Sequence, residues 1–138
     1  HIQGSVFFSS KSVTHNLGGF QDSLRKNFYK YKAIPPVMTW LSDTAPSAPE
    51  HLIAKKEKGK IVLSWKSANQ MGVSSSVRKY VLYQFDKKEE IDLGNPAKII
   101  KVIWAPANQI ELHINKRKKH QYILTALNFN NRESKPSN

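Results

Sequence analysis

The side chains of this 138-residue chain with the clearest chemical potential are cations. Lys55-Lys56-Glu57-Lys58-Gly59-Lys60 and Lys116-Arg117-Lys118-Lys119-His120 form two dense basic clusters, and the formal net charge is +12. Such clusters attract polyanions: acidic glycans, anionic lipid surfaces or nucleic acid. Lysine far outnumbers arginine, so planar bidentate pairing is not the dominant pattern, and solvated turn lysines are the simpler account. Nucleic acid fits poorly, because the clusters lack an aromatic platform for bases and no recognition helix is evident.

Other chemistries find little support. Glycoside cleavage needs two carboxylates roughly 5–10 Å apart across the scissile bond. Residues 1–45 hold only Asp22 and Asp43, the first in a predicted helix and the second in a linker. The histidines are His1, His15, His51, His113 and His120, and no pair has ligand spacing, so no metal is expected. Ser74-Ser75-Ser76 has no nearby His–Asp set and reads as a flexible loop. With no cysteine in the chain, disulfides and thiolate catalysis are excluded. No glycine-rich phosphate cradle occurs, and no cofactor is expected. Trp40 and Trp104 have the ring area to stack on a sugar, although packing explains each as well.

The elements that must position these groups fall into two parts. Residues 4–10 are short, apolar and β-prone and read as a buried strand. Leu17, Phe20, Leu24, Phe28 and Tyr31 then recur every three or four residues, which predicts a helix of about four turns with one apolar stripe. Pro35-Pro36 stops it. One strand and one helix cannot bury enough apolar area to fold alone, so the stripe requires a partner. Ser42–Pro49 is a Ser/Ala/Pro linker. Beyond it, strands are predicted at 51–54, 60–66, 79–85, 97–104, 109–114 and 121–129, with turn signals between them, the pattern of a β-sandwich. Ile61, Leu63 and Trp65 share one face.

Two resemblances extend this reading. Pro46-Ser47-Ala48-Pro49, Val62-Leu63-Ser64-Trp65, Tyr80-Val81-Leu82-Tyr83 and Tyr122-Ile123-Leu124-Thr125-Ala126-Leu127-Asn128 together resemble a fibronectin type III module over residues 46–138. The resemblance implies a mainly β, immunoglobulin-like sandwich, with Tyr122 in a tyrosine-corner-like role, its hydroxyl on a nearby backbone group. It implies little about function. Strand G should follow Glu133, yet the chain stops at Asn138. Either residues 132–138 form a short G strand, or strand F is left open to weak self-association.

Residues 4–45 carry the second. Gly4-Ser5-Val6-Phe7-Phe8-Ser9-Ser10-Lys11-Ser12, Asp22-Ser23-Leu24-Arg25, Tyr29 to Pro36 and Met38-Thr39-Trp40-Leu41, in that order, resemble the end of the catalytic barrel in bacterial glycosyl hydrolase-like lipoproteins. There the last strand and helix of a TIM barrel run into a fibronectin-type module.

The resemblance implies that residues 1–45 are a strand–helix remnant of an upstream barrel plus linker, and that 46–138 are the accessory module of an extracytoplasmic bacterial protein. The start at His1, without Met or a leader pattern, fits a piece of a longer protein. Neither carboxylate of residues 1–45 stands at the end of a barrel strand, so this portion is expected to be non-catalytic. Its partner is expected to be the upstream barrel, contacted through Leu17, Phe20, Leu24, Phe28 and Trp40. The rival functions are an acidic-glycan site made by Lys55, Lys56, Lys58, Lys116, Arg117, Lys118 and Lys119, and an adhesion or scaffold domain that binds another protein.

Overall fold

In the computed structural model, residues 6, 9–41, 44–67, 77–113 and 119–137 are described. The strand expected at 4–10 lies for the most part outside them. The chain divides into two compact units, His1–Lys32 and Ala33–Asn138.

The first unit is helical, but not as one helix. A single turn, α1 (Lys11–Thr14), is followed by a 3₁₀ turn at Leu17–Gly19, then α2 (Phe20–Ser23), which widens into a π-helical stretch at Leu24–Phe28. The predicted four-turn helix is therefore corrected. Asn16, Gly18 and Gly19 all have positive φ, at 49°, 59° and 75°, and break the ladder where Leu17 was to begin the stripe. Asn16 stabilises the break by binding Asp22 twice. Its amide donates to the Asp22 carboxylate at 3.0 Å and its oxygen accepts from the Asp22 N–H at 3.2 Å. None of these helical segments contains a buried residue.

The second unit is a pair of antiparallel sheets built from β1 (Glu50–Glu57), β2 (Lys60–Lys66), β3 (Lys79–Asp86), β4 (Ile99–Trp104), β5 (Gln109–His113) and β6 (His120–Leu127). One sheet has the order β1-β2-β5 and the other β4-β3-β6. The alternation in β2 does what its pattern requires: Ile61, Leu63 and Trp65 point inward and are buried. They meet Tyr80, Leu82, Ile103, Leu124 and Ala126 from the facing sheet. Trp65 and Tyr80 pack edge to face at 5.3 Å, and the Tyr80 hydroxyl is satisfied by Ser67 at 2.7 Å. Each large side chain so buried is worth about 1.5–3 kcal/mol.

β3 is buried on both faces. Its other face gives Val81, Tyr83 and Phe85 to a second cluster with Ile99, Ile123 and Leu127, against which Ile34, Leu93 and Val102 pack. Segment 33–45 is tied to the loop after β6. The Met38 N–H bonds the Asn130 carbonyl at 3.2 Å, and the Asn128 and Asn131 amides donate to the carbonyls of Thr44 and Pro36 at 3.1 and 3.4 Å. This segment acts as a strap on the sandwich.

The open-edge alternative for strand F is corrected too. The C-terminal tail lies along β6. The Ser134 and Ser137 N–H groups donate to the carbonyls of Ala126 and Leu124, both at 2.8 Å. Their hydroxyls accept in return from the N–H groups of Ala126 and Leu124, at 2.9 and 3.1 Å. Serine side chains thus stand in for the carbonyls of a G strand, and the basis for self-association along this edge is gone. The Tyr122 backbone pairs with Gln84 in the sheet, but its hydroxyl makes no hydrogen bond to another described residue. Tyr122 packs half-buried against the first cluster, where loss of hydration pushes its phenol pKa up.

Candidate functional site

The sandwich has two ends. The distal end is made by the β1–β2 turn, the start of the β3–β4 connection and the approach to β6. Lys58 and Gly59 take φ values of 40° and 86°, the two-residue hairpin turn whose twist matches its strands. The Lys87 N–H bonds the Lys119 carbonyl at 3.3 Å, which brings Lys119 to the same end.

Of the seven basic residues expected to act together, Lys116, Arg117 and Lys118 lie outside the described residues. Lys58 and Lys119 are at the distal end and exposed. Lys55 and Lys56 are not in the turn: β1 runs on to Glu57, so they are consecutive strand residues and leave the sheet on opposite faces. The charge at this end is also opposed. Lys60 bonds Glu111 at 2.7 Å, and that contact holds the Glu111 carboxyl below its usual range and raises the Lys60 pKa. Lys98 pairs with Glu89, lowering that carboxyl, and His120 faces Asp86 at 3.2 Å.

The proximal end, where Pro46–Pro49 lead into β1, carries a constellation that the sequence reading did not assemble. Arg78 places its guanidinium 5.4 Å from the Trp104 ring and 4.9 Å from the Phe129 ring. The Lys79 ammonium sits 4.5 Å from the Trp104 ring. Strand pairing builds this cluster: Lys79 is the register partner of both Trp104 and Leu127. The Arg78 N–H and carbonyl bond Leu127 and Ala105 at 2.8 and 3.0 Å. Trp104 and Phe129 remain 58% and 53% exposed. Trp104 had been singled out as a candidate stacking ring; Arg78, Lys79 and Phe129 had not, because only the register brings them together.

Of the expected contact residues, Phe28 and Trp40 are the most exposed, at 77% and 78%, and Leu17 is also exposed. Phe20 and Leu24 are half-buried within the first unit. Among the described residues no three His, Asp or Glu side chains gather as a metal site. Nor is any described helix long and apolar enough to cross a membrane.

No family model matches the chain. A glycosyl hydrolase, YngK of Bacillus subtilis (strain 168), is 27% identical to it over 137 residues, 99% of this chain and 26% of that protein. The chain thus spans about a quarter of the length of this curated relative. Among solved structures, titin domains A168–A170 align with 68% of this chain and 31% of theirs, at a TM-score of 0.51 and 15% identity. A Fn3-like protein from Clostridium thermocellum aligns with 68% of this chain and 91% of its own, at 0.49 and 17%. The strand order β1-β2-β5 against β4-β3-β6 is that of a fibronectin type III-like sandwich, and the chain is mainly β.

Proposed function

We propose that this chain is a non-catalytic accessory portion of a longer glycoside hydrolase that acts on carbohydrate outside the cytoplasm of a bacterium. The observation that carries the reading is the match to YngK: it takes in nearly the whole of this chain and only 26% of the relative. A sandwich of this class serves as a spacer or brace as readily as a binder. The carboxylates support a non-catalytic role. Glu111 and Glu89 are held by lysines, and Glu133 by the hydroxyls of Tyr83 and Thr125 at 2.7 and 2.6 Å. The exposed apolar groups Leu17, Phe28 and Trp40, together with Phe20 and Leu24, are the surface this reading assigns to the barrel of the same polypeptide.

The test is the mass of the native product in source cells, probed with antiserum against residues 46–138. A band several-fold heavier than 15.8 kDa is expected. The purified 138-residue chain should release no reducing ends from glycans that the longer polypeptide cleaves. A native band near 15.8 kDa, or hydrolysis by the chain alone, overturns the reading.

A further inference from the structure

Two cations at the proximal end, Arg78 and Lys79, stand over aromatic rings. The described residues there include 66–67, 77–79, 104–109 and 128–132, at the ends of strands and beside them. They contain Lys66, Arg78 and Lys79; the acid at this end of β1, Glu50, is the register partner of Lys66 and not of Arg78 or Lys79. At the distal end Lys60 is paired with Glu111 and Lys98 with Glu89. Neither Arg78 nor Lys79 has a carboxylate or side-chain hydrogen-bond partner among the described residues. Their neighbours are instead the rings of Trp104 and Phe129. Stacking holds the Arg78 guanidinium in place without consuming its N–H donors, which leaves a planar fork ready for an anion.

From this cluster we infer that the proximal end binds an anionic polysaccharide bearing carboxylate groups. Arg78 and Lys79 pair with the carboxylates, and Trp104 and Phe129 receive the faces of sugar rings. The inference rests on the accessory-module reading for its choice of carbohydrate. Arg78 lies close to both rings, so the ring centres are no farther apart than about the length of a disaccharide unit. A single glycan strand can therefore touch both. A folded protein surface fits less well. It would strip water from two cations that have no acid opposite them among the described residues, which is costly unless the partner supplies its own carboxylates. A glycan strand leaves them hydrated along its edges.

The test is titration of the 138-residue chain with polygalacturonate, neutral dextran and dextran sulfate at low salt. Polygalacturonate is expected to bind, more weakly as salt rises, and dextran is not. Arg78→Gln with Lys79→Gln should weaken binding by at least about tenfold. Trp104→Ala should weaken it several-fold, and Phe129→Ala serves the same arm if loss of Trp104 lowers the thermal midpoint. Lys58→Gln with Lys119→Gln, at the distal end, should leave binding unchanged. No polygalacturonate binding, loss only in the distal variant, or preference for dextran sulfate each overturns the inference. So does normal polymer binding by the Arg78/Lys79 variant combined with a lowered thermal midpoint of the longer polypeptide, since the surface is then a protein contact. The accessory reading is judged separately by the native mass.

Discussion

Two buried polar residues decide more than their size suggests. Asn128 is 1% exposed, and its side chain bonds Thr44, Asn130 and Arg132. Its oxygen accepts from the N–H groups of Asn130 and Arg132 at 3.0 and 2.9 Å, and its amide donates to Thr44. Asn128→Ala leaves all three partners short, and should cost about 2–4 kcal/mol by urea unfolding. A loss no larger than that of a surface substitution would show that water replaces the bonds. The second residue is Tyr83. Its phenol pKa is pushed far above the usual 10.0, first by burial and then by the hydrogen bond to Glu133 and the negative charge there, against a smaller opposing effect of Thr125. The folded chain keeps a proton that the unfolded chain releases near pH 10. The stabilisation is therefore complete below pH 10 and is lost as pH rises above it, by up to about 1.4 kcal/mol per unit. Between pH 10 and 11 the urea midpoint of Tyr83→Phe should fall less steeply than that of the parent. Equal slopes would remove Tyr83 from the account.

At the scale of elements, legibility followed periodicity. β2 was read to the residue because a strand with one buried face must alternate. The unbroken run Tyr80-Val81-Leu82-Tyr83 was read as a strand, but the cover on its second face was not. That cover comes from Ile34 and Leu93, which are remote in sequence and have no pattern of their own. The helix was overdrawn because the apolar spacing outweighed Gly18-Gly19. Those glycines take the left-handed conformation that ends a helix. Lys55 and Lys56 were assigned to a turn because charged residues look like turn residues, whereas a strand at a sheet edge carries lysine to discourage further pairing. The tail was the least legible element. Ser134 and Ser137 pair through their hydroxyls, and no strand propensity signals that. Ser134→Ala and Ser137→Ala each strand an N–H of β6, on Ala126 and Leu124. Each should cost about 1–3 kcal/mol in thermal or urea unfolding. The double variant should also form concentration-dependent oligomers in analytical ultracentrifugation as the edge opens. A double variant that stays monomeric and as stable as the parent would show that the tail is not what closes the sheet.

The organisation of the whole chain turns on segment 33–45. By sequence it is a proline-punctuated connection, and a connection of that composition is commonly removable. In the structure its backbone bonds the loop after β6, and Ile34 packs on the second cluster. Two truncations separate these views. A chain beginning at Ala33 keeps the strap, and a chain beginning at Pro46 does not. The pair differs only in those residues, so the difference in unfolding free energy between them belongs to the strap. It combines three hydrogen bonds, at about 0.5–1.5 kcal/mol each, with the partial burial of Ile34. The shorter chain should therefore be less stable by about 2–5 kcal/mol. Its Tyr83 and Phe85 face should also open enough to bind a hydrophobic dye. Equal stability would make the segment a passive linker. A loss of the expected size means that the segment belongs to the fold of the sandwich itself.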